Sequence, residues 1–394
     1  MPRLAESSIK AGLRSAPVVV LGGARASGKT TTARRLAASE VLLPRDLPLL
    51  AVDAATYLAG LTSPVLIDEW QLAGVDLLWT IKQIVDEDPQ PGRFILTGSV
   101  EPATYGPTYP LTGRAVGVQL RPMTRGELLG AGAQPTFLAR IIADPTSPQQ
   151  RGAGFDAAWL AESGFPAALR SADPRLLLDA YAATVAQRAG DEGRDATRLT
   201  RTLRVLATLE AQAVPNQRVW EASDINKLTW KCYDDLLQRV HVSVPLPAYD
   251  SNRLNRLTSY PKRFLADTAL SLTLAQLDVE GLRADPPLLG RYFEAFVVQQ
   301  LRPQVDAVGA SLSHLRTGAG DREVDVIVEA GDRLLGFEVK LAARPTVDDA
   351  RQLAWLRDQR PERFAGGYVV HAGADVYPLG DRLWAIPVSI VAGV

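Results

Sequence analysis

The chain has 394 residues, 46% hydrophobic and 22% charged, with a formal net charge of -1. That length accommodates two or three domains with cores of their own. The near-neutral balance excludes a pervasive basic field, so any nucleic-acid contact must come from local patches. The lone cysteine, Cys232, excludes an intramolecular disulfide framework and a cysteine-based zinc site. The first fifteen residues lack the apolar centre of a signal peptide and no apolar run reaches membrane-spanning length, so we expect a cytoplasmic protein without membrane contact.

The first strong signal is an apolar run, Val18, Val19, Val20 and Leu21, that gives way to Gly23, Ala24, Arg25, Ala26, Ser27, Gly28, Lys29, Thr30 and Thr31. Every fixed position of G-x-x-x-x-G-K-[ST] is matched, so a phosphate-binding loop is expected between a strand and a helix. Its glycines let successive N–H groups face one anion at a helix start. Lys29 supplies a charge for the β/γ-phosphates of ATP, and the Thr30 hydroxyl is a ligand for Mg²⁺. Residues 48–53 (PLLAVD) read as a short buried strand and 54–61 as helical. The run from Val65 to Ile67 ends in Asp68 and Glu69, the Walker B pattern: Asp68 for the Mg²⁺ shell, Glu69 to orient or deprotonate the attacking water.

Helical periodicity follows over 77–85, then a loop rich in Asp and Pro, then a buried strand at 93–99 whose tip carries the hydroxyls Thr97 and Ser99. Either hydroxyl could sense the γ-phosphate at the carboxyl edge of a parallel sheet, or simply bond a turn. Arg114 precedes another strand at 116–120. It suits a γ-phosphate contact in its own or a neighbouring subunit, or an ordinary surface position.

The segments GARASGKTT, LIDEWQ, RFILTGS, LTGR and LRPMTRGEL, in that order, resemble a prokaryotic AAA-like ATPase family. Its members pair this module with a C-terminal domain of unknown function that has a nuclease-like look. The loop departs from the pattern at Ala26 and Ser27, where many members carry a Gln-Val type pair, a change that leaves phosphate binding intact.

Residues 130–187 are rich in Ala and Leu with Pro and Gly breaks, which we read as short helices forming a lid beside the nucleotide, with Arg170 and Arg175 as unspecific phosphate contacts. Residues 190–195 (GDEGRD) read as a linker. Helical patterns at 198–211 and 222–239 and extended segments at 242–246 and 263–265 give the order of a winged helix-turn-helix, used by DNA readers and by plain protein-contact modules. Its candidate basic patches are Arg198, Arg201 and Arg204, and Arg253, Arg256, Lys262 and Arg263.

At the far end, residues 288–301 form an amphipathic helix carrying one acid, Glu294, among apolar neighbours, where an unpaired charge is expensive. Strands are expected near 312–315, at 323–328 with Asp325, and at 334–340. On the last of these, Glu338 and Lys340 share a face. A helix at 348–356 and a strand at 367–371 complete an αβββαβ order. With its helix-borne acid, strand Asp and Glu-x-Lys, this order resembles the PD-(D/E)XK nuclease superfamily. The resemblance implies that Asp325 and Glu338, helped by Glu294, bind Mg²⁺ and that Lys340 positions water or steadies the phosphorane. It also covers members that bind without cutting. His314 and His371 are candidates for a supporting role, or structural residues.

The expected protein is therefore α/β: an N-terminal P-loop AAA-like ATPase core (1–129), a helical lid (130–190), a winged-helix-like middle (191–285) and a C-terminal αβββαβ restriction-endonuclease-like domain (286–394). The leading expectation is an ATPase whose nucleotide state controls a DNA-binding, and in one version DNA-cleaving, module. The rivals are a nucleotide-switched regulator that binds DNA or protein with an inactive nuclease-like domain, and a homo-oligomer that remodels protein through Arg114 acting in trans.

Overall fold

The computed structural model describes residues 1–98, 109–146, 151–191, 194–249, 260–317 and 322–394. These fall into two compact units, residues 2–121 with 239–241, and residues 122–238 with 242–394.

The first unit is built on β1 (Val18–Gly22), β2 (Ser39–Leu42), β3 (Val65–Asp68), β4 (Phe94–Thr97) and β5 (Ala115–Gln119), joined in the order β2-β3-β4-β1-β5. Every pairing is parallel. Such a sheet is buried on both faces, which is why β1 reads as an unbroken apolar run rather than an alternation. Val18 and Val20 face a core shared with α3 (Leu47–Ala59) and α4 (Gly74–Glu87). Val19 and Leu21 face another, shared with α1 (Ala5–Ser15) and α2 (Lys29–Arg34). One strand differs from expectation: residues 48–52 are helical, α3 kinks at Asp53 (φ -159°), and the strand between α2 and β3 is β2, earlier in the chain. A six-residue apolar run fits a buried strand or a helix equally by pattern. Here Pro48, tolerated in the first turn of α3, tips it to helix.

The second unit holds the middle helices and the C-terminal sheet. Helices α5 (Pro174–Asp191), α6 (Ala196–Thr208), α7 (Asn216–Ala222) and α8 (Lys227–Arg239) follow one another, so α5 runs into the segment read as a linker. After them, extended residues pair antiparallel, Leu246 with Lys262 and Ser243 with Leu265. Residues from the segment read as a nucleotide lid have partners within this unit. Phe137 meets Phe337 and Tyr368 edge-on, with ring centroids 6.4 and 5.8 Å apart. The Leu138 N–H donates to Gln304 Oε1 at 3.0 Å, and Arg175 donates to the Leu277 carbonyl at 2.7 Å.

The C-terminal sheet contains β6 (Ser311–Arg316), β7 (Glu323–Ala330), β8 (Arg333–Lys340), β9 (Phe364–His371), β10 (Tyr377–Gly380) and β11 (Leu383–Pro387), in the order β10-β11-β9-β8-β7-β6. It is mixed: β8 to β9 and β9 to β11 run parallel, the other pairs antiparallel. The two-residue turn Gly331-Asp332 closes the β7–β8 hairpin with Gly331 at φ 62°. Helix α9 (Pro286–Val308) covers one face through Phe293, Phe296, Val297 and Leu301. Helix α10 (Arg351–Gln359) covers the other through Leu353 and Leu356. The start of α9 is fixed by the Asp285 carboxylate accepting from the Leu288 N–H and by prolines in its first turn, and its end by Gly309 at φ 67°. Among the described residues, no helix is long and apolar enough to cross a membrane.

Candidate functional sites: a phosphate loop and a lysine-filled acid cluster

The loop after β1 has left-handed backbone at Gly23 (φ 149°), Ala26 (φ 62°) and Gly28 (φ 95°). Alternation of this kind turns neighbouring N–H groups toward a single anion. A Cβ at position 23 would collide with the Leu120 carbonyl oxygen, so only glycine fits. Lys29 opens α2 and lies buried, its ammonium donating to the Gly23 carbonyl at 2.9 Å and the Ala24 carbonyl at 3.0 Å. Arg25, Ala26 and Thr31 are exposed, and Ser27 is buried with its carbonyl taking a 3.0 Å bond from the Arg3 guanidinium. Arg3 also donates to the Arg121 carbonyl at 2.7 Å, so the start of the chain braces the loop.

Asp68 ends β3 directly beside Thr97 at the end of β4. Its Oδ1 accepts from Thr30 Oγ1 at 2.8 Å and from Thr97 Oγ1. A threonine hydroxyl, a carboxylate and the lysine of the loop thus converge at the carboxyl ends of the parallel strands, where α/β sheets place ligands. These hard oxygens fit Mg²⁺. Thr30 and Asp68 would hold the ion that accompanies a nucleotide, and the ion would offset phosphate charge. Glu69 adopts a left-handed backbone (φ 55°), accepts from the Gln71 amide, and is followed by fully buried Trp70. For a non-glycine residue that conformation costs about 1–3 kcal/mol and is kept only where surroundings enforce it. Against the loop also lies His241, whose ring burial, with Lys29 and Arg121 nearby, pulls down to about 4. It is therefore neutral at physiological pH.

Ser99 lies outside the described residues. Arg114 is at the other end of the sheet: it precedes β5, its carbonyl takes the Val18 N–H at 3.2 Å, and its guanidinium pairs with Asp86 at the end of α4. The loop follows the opposite end of β1, so a γ-phosphate contact by Arg114 within its own chain is ruled out.

In the second unit Glu294, Asp325, Glu338 and Lys340 do come together, but around an unexpected centre. Lys262, read from sequence as part of a basic surface patch, is only 2% exposed. Its ammonium lies 2.8 Å from Glu294 Oε1, 2.9 Å from Asp325 Oδ1 and 3.1 Å from Glu323 Oε1. Asp325 Oδ2 takes the Val339 N–H at 3.0 Å, which occupies its second oxygen as well. Lys340 reaches Glu338 Oε2 at 3.2 Å, while the buried Glu338 Oε1 has no hydrogen-bond partner.

The electrostatics follow. Burial would lower Lys262, but Asp325, Glu294 and Glu323 outweigh it and hold the ammonium well above its ordinary value. Burial would raise Asp325, yet Lys262 and the Val339 N–H keep it below the usual carboxylate range. Burial and Asp325 push Glu294 up to about 8 and Glu338 well above normal.

The fit to a divalent ion at this cluster is poor. The three oxygens stand at ammonium distances from a shared centre, whereas Mg²⁺ demands about 2.0–2.1 Å. Among the described residues, no group of three or more His, Cys, Asp or Glu side chains is arranged to hold a metal.

Asp325, Glu338 and Lys340 also line a cleft of about 440 Å³ with Glu323, Asp348, Asp349, Arg351 and Gln352. Five carboxyl groups against two cations make it unattractive to a phosphate backbone. Of the basic patches, Arg263 is buried with Lys262, Arg253 and Arg256 lie outside the described residues, and Arg198 and Arg201 are exposed but face Asp195 and Asp224. His371 is buried at the end of β9, its Nε2 3.0 Å from the Asp375 carbonyl and its Nδ1 accepting from the Gly373 N–H at 3.0 Å. His314 Nε2 lies 3.1 Å from the Tyr260 carbonyl.

Comparison with known proteins divides along the same lines. Residues 15–129 match an AAA domain. Residues 157–281 and 289–391 match two domains of unknown function, DUF8612 and DUF4143. The chain is 28% identical over 401 residues to uncharacterized protein Rv2008c of Mycobacterium tuberculosis, covering 98% of this chain and 83% of that one. Uncharacterized protein Mb2031c of Mycobacterium bovis matches with the same identity and coverage. Among solved structures, the Walker-type ATPase PABY2304 of Pyrococcus abyssi aligns with a TM-score of 0.42 and 16% identity, over 70% of this chain and 98% of that one. The AAA match suggests nucleotide binding and hydrolysis, typically dependent on Mg²⁺.

The sequence did not single out Arg3, His241 or Glu323. Each is an ordinary residue until the fold brings it to a site, and no local pattern marks it. The role of Lys262 was hidden for the same reason.

Proposed function

We propose that this protein is a Mg²⁺-dependent ATPase of the AAA type whose nucleotide state controls a C-terminal module that binds a partner without cutting nucleic acid. The observation that carries the first half is Asp68 accepting from both Thr30 and Thr97, with Lys29 folded into the adjoining loop and Glu69 next in sequence. Lys29 donates to the Gly23 and Ala24 carbonyls, which hold its ammonium inside the loop that an incoming phosphate would enter. Asp68 keeps Thr30 in place, and Glu69 orients or deprotonates the attacking water. Domain limits near 129, 190 and 285 belong to the same proposal. ATP turnover by purified protein tests it: full activity in Lys29→Ala would refute it.

A second reading, metal-dependent cleavage by the C-terminal domain, draws on Asp325, Glu338 and Lys340 lining one cleft. It predicts nicking of plasmid or single-stranded DNA with Mg²⁺ or Mn²⁺, lost in both Asp325→Ala and Lys340→Ala. The proposal predicts no cleavage in any of the three proteins. A gel shift that depends on ATP and salt would identify DNA as the bound partner, and its absence would leave a protein.

A further inference from the structure

We infer that Lys262 is the resident cation of the C-terminal acid cluster, standing where a nuclease of this general fold would hold a metal ion. The inference rests on the reading of the C-terminal domain as a non-cutting relative of that fold. Three acidic oxygens lie within 2.8–3.1 Å of the ammonium, drawn from two elements: Glu294 on α9 and Asp325 on β7 accept hydrogen bonds, and Glu323 on β7 is an ion-pair partner. Glu323 and Asp325 are two residues apart on one strand and so share a face. The backbone that delivers the side chain is pinned: the Lys262 N–H donates to the Leu246 carbonyl at 3.0 Å and its carbonyl accepts from Leu246 at 2.9 Å. Phe264 and Leu265, just beyond, are buried. The ammonium is thus built into the fold from the strand pair that follows α8, rather than swung in from the surface on a free side chain.

Two consequences separate this from an incidental ion pair. The carboxylates need no metal to coexist, since removing the one partner of a buried charge group is what destabilises such clusters. A divalent ion bridging these oxygens would have to displace the Lys262 ammonium, which stands within 3.1 Å of all three. The cluster then serves as a metal-independent clasp joining the strand pair to α9 and β7.

The test uses the full chain without nucleotide and carrying Asp68→Asn, so that the P-loop adds no metal affinity of its own. Mn²⁺ binding is followed by electron paramagnetic resonance, and thermal unfolding is recorded with and without Mn²⁺. With Lys262 present, no Mn²⁺ site sensitive to Asp325→Asn is expected, and Mn²⁺ leaves the midpoint unchanged. Lys262→Ala should lose roughly 10 °C in metal-free buffer. It should gain one Mn²⁺ site and recover stability with Mn²⁺, and lose both gains when combined with Asp325→Asn. Lys262→Met, whose side chain fills the space without charge, should be destabilised and show no recovery. Saturable, Asp325-dependent Mn²⁺ binding by the chain that keeps Lys262 would overturn the inference, as would recovery in both variants or in neither. ATP turnover and DNA cleavage are measured separately, so failure here is distinct from failure of the proposed function.

Discussion

Each unit holds a buried lysine and a β-strand aspartate at its candidate site, and the groups around them differ. Lys29 donates to two backbone carbonyls of the loop that follows β1. Lys262, itself buried, stands among three acidic side chains, and a metal that sought their shared centre would have to displace it. The aspartates differ in the same sense: Asp68 accepts from two hydroxyls, which suit a metal's surroundings, while Asp325 accepts from an ammonium and a peptide N–H. A motif of similar residue types is poised for a ligand in one unit and satisfied internally in the other.

The strongest way to break this contrast is to remove Lys29. Lys29→Ala should lower ATP turnover about 100-fold or more, as loss of a preorganised charge at a reacting phosphate does. Turnover is read by phosphate release, and the variant's thermal midpoint serves as the control for folding.

A second prediction sharpens the account of the second unit, where charge is controlled by burial. Glu210 accepts from Ser271 Oγ at 2.5 Å and from the Leu265 N–H at 3.1 Å, and its burial pushes it up to about 8 from an ordinary 4.5. Between those values the folded chain keeps a proton that the unfolded chain releases. Stability should therefore fall as pH rises from about 5 to 8, by up to roughly 1.4 kcal/mol per pH unit from this group. Urea unfolding across that range should show the fall lessened in Glu210→Gln. An unaltered slope would remove Glu210 as its source.

The smallest effect is expected at Arg114. It pairs with Asp86 at the amino-terminal end of the strands, so Arg114→Ala should leave ATP turnover within about twofold of wild type. A large loss that depends on protein concentration would instead point to a role in a neighbouring copy.

These contrasts also show how much the residue string disclosed. The P-loop was legible because its chemistry is local: Gly23, Gly28, Lys29 and Thr30 act within eight residues, and the backbone angles at the two glycines are those the spacing requires. The strands ending at Asp68 and Thr97 were legible because a parallel sheet buried on both faces leaves continuous apolar runs. The run at 48–53 misled because apolar content without clear periodicity does not separate helix from strand. In the C-terminal domain the four expected residues lie close together, since a helix and a hairpin carry them in short order. Lys262 could not be placed because its partners are 32, 61 and 63 positions away, and a lysine followed by an arginine reads as surface charge until the fold buries it. For Arg114 only the contact within its own chain is excluded, since position next to a strand does not say which end of the sheet faces the ligand.

The most direct measurement is a calorimetric titration of Mg²⁺ and ATP into the intact chain, into Lys29→Ala and into Lys340→Ala. The account predicts one nucleotide per chain, with binding lost in Lys29→Ala and unchanged in Lys340→Ala. No uptake by the intact chain, or uptake that survives in Lys29→Ala, would contradict it.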